Sequence, residues 1–214
     1  ASLLGVKPII DIISADFLYR AMDSICNTAA KLQKPQPIVI RAEFLLGGPT
    51  TGQRPEAMFA HVPGLRVVVP STPRDAYGLM RLALETPGVT LYFEDRMIED
   101  AGPWHDSHLD VGFGDYHVGQ ATTRMMGQRG MVTIVTYGVM VQRVERLLRA
   151  YRASHQGKDF YAYDNRMCDL IDLRSIYPID FSYIKFMLRR TSRLLVIEPD
   201  VQYGGVGAEI IATI

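Results

Sequence analysis

Several clusters along this 214-residue chain have types and spacing suited to chemistry. The string His105-Asp106-Ser107-His108-Leu109-Asp110 places two histidines three apart among carboxylates, a spacing that chelates a metal when the backbone is helical. Gly102-Pro103 before it and Gly112 and Gly114 after it argue instead for a solvated connector. Glu198 and Asp200 follow the apolar run Leu194–Ile197, and strand ends commonly present functional groups. In the second half of the chain, an interface role suits them better than acid–base work. His61 lies in Phe59-Ala60-His61-Val62-Pro63-Gly64, where a structural hydrogen bond is the simpler expectation. Arg143, Arg146, Arg149 and Arg152 fall on one side of a helical pattern, and Arg189, Arg190 and Arg193 form a second basic group. Such a face is ordinarily solvated; the competing reading is contact with an acidic partner or an RNA backbone. Gly204-Gly205 reads as a turn, because no phosphate-loop spacing surrounds it.

These residues need a scaffold, and the hydrophobic pattern describes one. Pro8–Ile13, Pro37–Ile40, Leu65–Val69 and Val89–Phe93 are short, β-branched runs of the kind that form buried strands. Ala21, Met22, Ile25, Cys26, Ala29 and Ala30 recur at helical spacing between the first two. After Val69, Thr72 is placed to cap a helix, Pro73 suits its first turn, and Asp75 meets its positive end. Residues 95–118, with the single tryptophan Trp104, break this rhythm. A second alternating series follows: strand Met131–Thr136, a helix from Val139 to Arg152, strand Asp169–Leu173, a helix from Asp180 to Arg190, strand Leu194–Ile197, and a helix after Gly205. Val141, Val144, Leu148 and Tyr151 form the inward stripe of the Val139 helix. The series predicts two α/β units of mostly parallel sheet.

Lys+Arg and Asp+Glu are equal at 23 each, so no net charge draws the chain to nucleic acid or an anionic membrane. Apolar runs are too short to span a bilayer. The two isolated cysteines, Cys26 and Cys168, predict free thiols in a reducing compartment.

The segment PEAMFAHVPGLRVVVPSTPRDAYGL at 55–79 resembles the beta subunits of thiamine-diphosphate-dependent 2-oxo acid dehydrogenases (branched-chain 2-oxo acid and pyruvate), whose pattern is roughly PEAFFAHCPGLKVVxPSxPxDAKGL. SADFLYRAMDSICNTAAK at 14–31 is similar to the family's FADYxxPAxDQIxNxAAK. VTIVTYGVMV at 132–141, DLIDLRSIYPID at 169–180 and GGVGAEI at 204–210 match in the same order. The resemblance implies an α/β fold: a transketolase-like pyrimidine-binding domain over 1–94, a linker over 95–118, and a transketolase C-terminal-like domain over 119–214. The first domain is expected to lack its N-terminal part, since the sequence opens on Ala1. It also implies an alpha-type subunit as partner in an α2β2 heterotetramer.

Against that family the chemistry is depleted. The glutamate that protonates the aminopyrimidine falls upstream of Ala1 by the family's spacing. A proton-transferring histidine belongs in the loop that the family reads as His-Ser-Gln-Ser-Pro-Glu-Ala; here it reads Thr51-Gly52-Gln53-Arg54-Pro55-Glu56-Ala57. Thr51 stands at the histidine position and cannot titrate near neutral pH, Arg54 adds a permanent cation, and the loop after Arg41 is shorter. At a monovalent-cation site of the family, Val39 replaces Thr, Thr86 replaces Asp and Gly88 replaces Asn. Phe17 replaces a tyrosine near the pyrimidine and is the one vestige of cofactor contact. The expectation is therefore a noncatalytic, assembly-forming relative with no cofactor and no metal. Its setting would be the mitochondrial matrix rather than a bacterial cytoplasm, in a large assembly where the arginine clusters could touch RNA. The rival is an active beta subunit that uses thiamine diphosphate with magnesium.

Overall fold

A computed structural model of the chain describes residues 1–33, 36–45, 47–48, 50–98, 116–127, 131–154 and 168–214. The string at 105–110 and Trp104 lie outside the described residues, as does most of the expected linker.

The four β-branched runs become parallel strands: β1 (Ile9–Ile12), β2 (Ile38–Phe44), β3 (Leu65–Val68) and β4 (Val89–Asp95). Their order is β1-β2-β4-β3, with β2 and β4 in the centre, registered from Ile38 opposite Val89 to Phe44 opposite Asp95. Ile38, Val39 and Ile40 are all buried, as a strand covered on both faces requires. At the carboxyl end of this pair Phe44 and Phe93 stack with centroids 5.0 Å apart.

Two helical segments pack on the sheet. A short helix, α1 (Glu56–Ala60), opens on the Pro55-Glu56 pair. A longer one, α2 (Pro73–Glu85), starts as expected, with Thr72 Oγ1 accepting from Asp75 N at 3.1 Å. The predicted helix over 21–30 is different. It forms a 3₁₀ segment (Ala15–Ala21), one π turn (Ser24–Thr28) and a closing 3₁₀ turn (Ala29–Lys31). Ser24, Asn27 and Thr28 belong to the residue types that compete with backbone hydrogen bonding. Asn27 also bonds Asp23 and Lys31 along the outer side. The turn ends against Gly64, whose φ of +91° brings the chain so close to the Ala30 carbonyl that no side chain fits.

The second unit contains β5 (Thr122–Met125), β6 (Val132–Thr136), β7 (Cys168–Asp172) and a later strand, β9 (Leu194–Val196), in the order β5-β7-β6-β9. Around it stand α3 (Val139–Ser154), α4 (Phe181–Thr191) and α5 (Val206–Thr213). On α3, Val141 and Val144 are buried and Leu148 packs against them, but Tyr151 is half exposed. Two strands escape the periodicity. One is β5, which runs antiparallel to β7. The other, β8 (Ser175–Tyr177), leaves the second unit and joins the outer edge of the first sheet, antiparallel to β3. Arg174, with φ +58°, turns the corner between β7 and β8.

A buried polar network fastens this crossing. Ser71 Oγ donates to Asp172 Oδ2 at 2.5 Å, and Arg124 bridges Asp172, at 2.7 Å, and Asp75. Arg174 Nε lies 2.9 Å from Asp75 Oδ1, close enough for an ion pair though not aligned as a hydrogen bond. Its guanidinium also covers the Tyr116 ring at 4.6 Å. Asp75 thus both opens α2 and anchors the second unit.

Candidate functional site

The loop between β2 and α1 carries the residues that the family resemblance makes central. It is tied down from an unexpected direction. Asp16, on the 3₁₀ segment, accepts hydrogen bonds from Gly52 N at 3.1 Å, Gln53 N at 3.0 Å and Ser14 Oγ at 2.7 Å. Burial pushes its carboxyl up, but these three donors outweigh burial and hold it below the usual value. Thr51 forms an isolated bridge with Gly48, and a Cβ on that glycine would stand 2.8 Å from the Thr51 hydroxyl. Phe17, next to Asp16, is half exposed. Asp16 thus links the segment that carries Phe17 to the loop that carries Thr51.

Arg54 is the residue whose role sequence reasoning missed. Its side chain is only 11% exposed, with Nε donating to Glu56 Oε1 at 3.0 Å and Nη1 to Asp95 Oδ1 at 2.9 Å. The guanidinium also lies 3.6 Å from the Phe44 ring centroid. Both acids reach further: Tyr137 OH donates to Glu56 Oε1 at 3.2 Å, and Val139 N, at the start of α3, donates to Asp95 Oδ2 at 3.1 Å. One cation therefore joins the loop, the end of β4 and the second unit. Burial works against the Arg54 charge, but the two carboxylates raise its pKa. Glu56 goes up as well, because its burial exceeds what Arg54 returns; its Oε2 has no hydrogen-bond partner among the described residues. Burial, then the Glu56 charge, drives the Tyr137 phenol up too. Arg54 was visible as an unusual cation; its acids lie at 56 and 95, and only the second required the fold.

The three departures at the expected cation site can be judged on geometry. Val39 is fully buried among Val68, Leu79 and Tyr92 and offers methyl groups. Thr86 Oγ1 turns back to the Leu82 carbonyl at 2.8 Å, and Gly88 offers no side-chain donor. The Thr86 carbonyl is already bonded to Arg66 Nη2 at 2.9 Å. With Arg66 in place, these side chains leave a hard metal ion no open set of oxygens. Among the described residues no three His, Cys, Asp or Glu side chains converge on a metal position.

A cleft of about 1460 Å³ opens between the α1 region and the second unit, lined by Tyr19, Arg54, Met58, Tyr177, Asp200 and Tyr203 among others. His61 is exposed on its wall and makes none of the expected hydrogen bonds with the described residues. Glu198 faces α5, its Oε2 accepting from Gly207 N at 2.9 Å. A Cβ on Gly205 would stand 2.7 Å from Glu198 Oε1, so the glycine pair serves this docking as a turn. Of the basic clusters, Arg190 is engaged with Gly127 O and Asp169, and Arg149 lies 3.7 Å from Glu145. No described residues form a nucleophile–base pair in the cleft, and a residue able to exchange a proton near pH 7 is missing from position 51.

Two parallel-sheet units, one built around this loop and one docked through β8, define a transketolase-type chain. Family models agree: the transketolase pyrimidine-binding domain matches residues 1–98 and the transketolase C-terminal domain matches 121–214. The chain belongs to the transketolase-fold family that includes the beta subunits of 2-oxo acid dehydrogenases. It is 31% identical to the mitochondrial 2-oxoisovalerate dehydrogenase subunit beta 2 of Arabidopsis thaliana, covering 99% of this chain and 58% of that protein. It is also 31% identical to the 2-oxoisovalerate dehydrogenase subunit beta of Bacillus subtilis, covering 100% and 64%. The chain thus spans less than two thirds of the length of these relatives. Among solved structures, a split-gene transketolase described as an inactive beta4 tetramer matches with a TM-score of 0.78 at 22% identity, over 99% of this chain and 64% of that one. A transketolase from Pichia stipitis matches with a TM-score of 0.65 at 16% identity, over 92% and 28%. At these identities the structural matches speak for the fold.

Proposed function

We propose that this chain is a noncatalytic, assembly-forming homologue of a 2-oxo acid dehydrogenase beta subunit. The observation that carries this reading is the Arg54 cluster. Where a reacting loop needs a titratable group, this one has Thr51, and its neighbouring cation is immobilised by Glu56 and Asp95. Losing a positioned acid–base group costs on the order of 10²–10⁴-fold in rate. Phe17 can still stack on a ring, but Thr51 brings no group that titrates near neutral pH.

The assembly half of the reading rests on surface character. Met58, Tyr177, Val201 and Tyr203 are exposed around one cleft, and Tyr203 is 97% exposed. Exposed apolar groups gathered in one place mark interaction surfaces. The partner is an alpha-type subunit homologue, in an arrangement like an α2β2 heterotetramer, because the relatives are themselves beta subunits. The mitochondrial matrix, within a larger complex, is the setting this reading favours. Several relatives are named as mitochondrial, although others are bacterial.

The test uses the full-length protein purified with its natural partner. No 2-oxo acid decarboxylation should be measured above background. Titration with thiamine diphosphate and magnesium should release no saturable heat. Turnover with a branched-chain 2-oxo acid or pyruvate would make it an active beta subunit instead.

A further inference from the structure

We infer that the Arg66 guanidinium is a built-in cation for the first unit: it fills the oxygen cradle at the C-terminal end of α2 and holds that end to β4 without a metal ion. Arg66 is the second residue of β3, and its side chain reaches across to the segment joining α2 to β4. Nε donates to Thr90 Oγ1 at 3.0 Å, Nη1 to the Pro87 carbonyl at 2.8 Å, and Nη2 to the Thr86 carbonyl at 2.9 Å. All three acceptors are neutral oxygens, the donors a hard cation would take. Two are carbonyls just past the last turn of α2, where no intrahelical partner exists and the helix dipole is negative.

The charge has no acid to answer it. Arg41, Arg54, Arg124, Arg174 and Arg190 each contact a carboxylate. Arg66 makes no such pair among the described residues, and burial alone pushes its pKa down. A charge arranged this way is held by dipoles, as a coordinated ion is. The surroundings are cut to the guanidinium. Gly88, at φ +112°, leaves the space open; a Cβ there would lie 3.1 Å from Nη1 and 3.4 Å from Nη2. Val39, directly across the β2–β4 register from Thr90, closes the other side with methyl groups. The position matters as well: the family pattern carries lysine where Arg66 stands. An ammonium carries its three donors on one nitrogen, whereas these acceptors are met by Nε, Nη1 and Nη2 of a planar fork. The residues at 39, 86 and 88 and the arginine at 66 thus form one arrangement. It is independent of whether the chain turns over a substrate.

The test is thermal unfolding of the full-length protein at equal ionic strength in potassium, sodium or choline chloride. The wild type should unfold at the same temperature in all three. Arg66→Ala, which empties the cradle but keeps its oxygens, should lose about 5 °C in choline, from carbonyls left unpaired. Potassium or millimolar methylguanidinium should restore much of that loss in the variant and do nothing to the wild type. If Arg66→Ala does not fold, Arg66→Met keeps the packed stem and gives the same comparison. A wild type stabilised by potassium over choline would overturn the inference. So would a folded variant that responds to neither potassium nor methylguanidinium.

Discussion

Arg54 makes the loop between β2 and α1 a structural joint. Removing it strands two carboxylates, Glu56 at 0% and Asp95 at 8% side-chain exposure. Breaking a buried pair from one side costs about 3–5 kcal/mol. Arg54→Ser, which restores the family's residue, should therefore lower the urea midpoint by a corresponding amount without gaining turnover. Glu56 predicts the opposite sign. Its carboxyl is raised by burial, so the folded state favours the protonated form. That contribution is complete at low pH and is lost as pH rises through the raised value. Glu56→Gln should match the wild type in acid and become the more stable protein toward neutral pH, as read by denaturant midpoints across pH.

At the scale of elements, α2 concentrates the dependencies. Its N-terminus uses Thr72 as cap and Asp75 as anchor to Arg124 and Arg174, while its C-terminus is held by Arg66. Thr72→Ala should cost about 1 kcal/mol, the ordinary value of a lost cap, measurable by chemical denaturation. Asp75 is lowered: burial opposes its charge, but Arg124, Arg174, Thr72 and Ser71 win. Stability from this group is present above the unfolded value of about 3.9 and disappears as pH falls through the lower folded value. Asp75→Asn should erase that part of the acid limb of the stability curve. Strands β2, β3 and β4 and the cap of α2 were legible because each is encoded by its own residues. The irregular turns over 15–31 were not, because apolar spacing there fits a helix while local side-chain bonding and the closure on Gly64 decide otherwise.

For the whole molecule, β8 is decisive. A strand from the second half completes the first half's sheet, and Ser71, Asp75 and Asp172 are buried around the half-buried Arg124 where the halves meet. The two units should therefore unfold in a single cooperative transition, seen by calorimetry. Asp172→Ala, which removes one of the two acids that Arg124 bridges and the acceptor of Ser71 Oγ, should separate the transition into two. The segment 169–180 reads as one strand and turn in sequence. Its division into β7 in one sheet and β8 in the other depends on which edge is open, a fact held by residues far away in the chain.

The residues alone determined the alternating α/β plan, the ordered family motifs and the absence of a histidine at position 51, because these are local patterns of type and spacing. Only the tertiary structure decided which groups the two arginines meet. Arg54 finds Asp95 across 41 positions, and Arg66 finds its oxygens 20 to 24 positions away. A long guanidinium side chain carries no mark in sequence of which acceptors the fold will bring within reach.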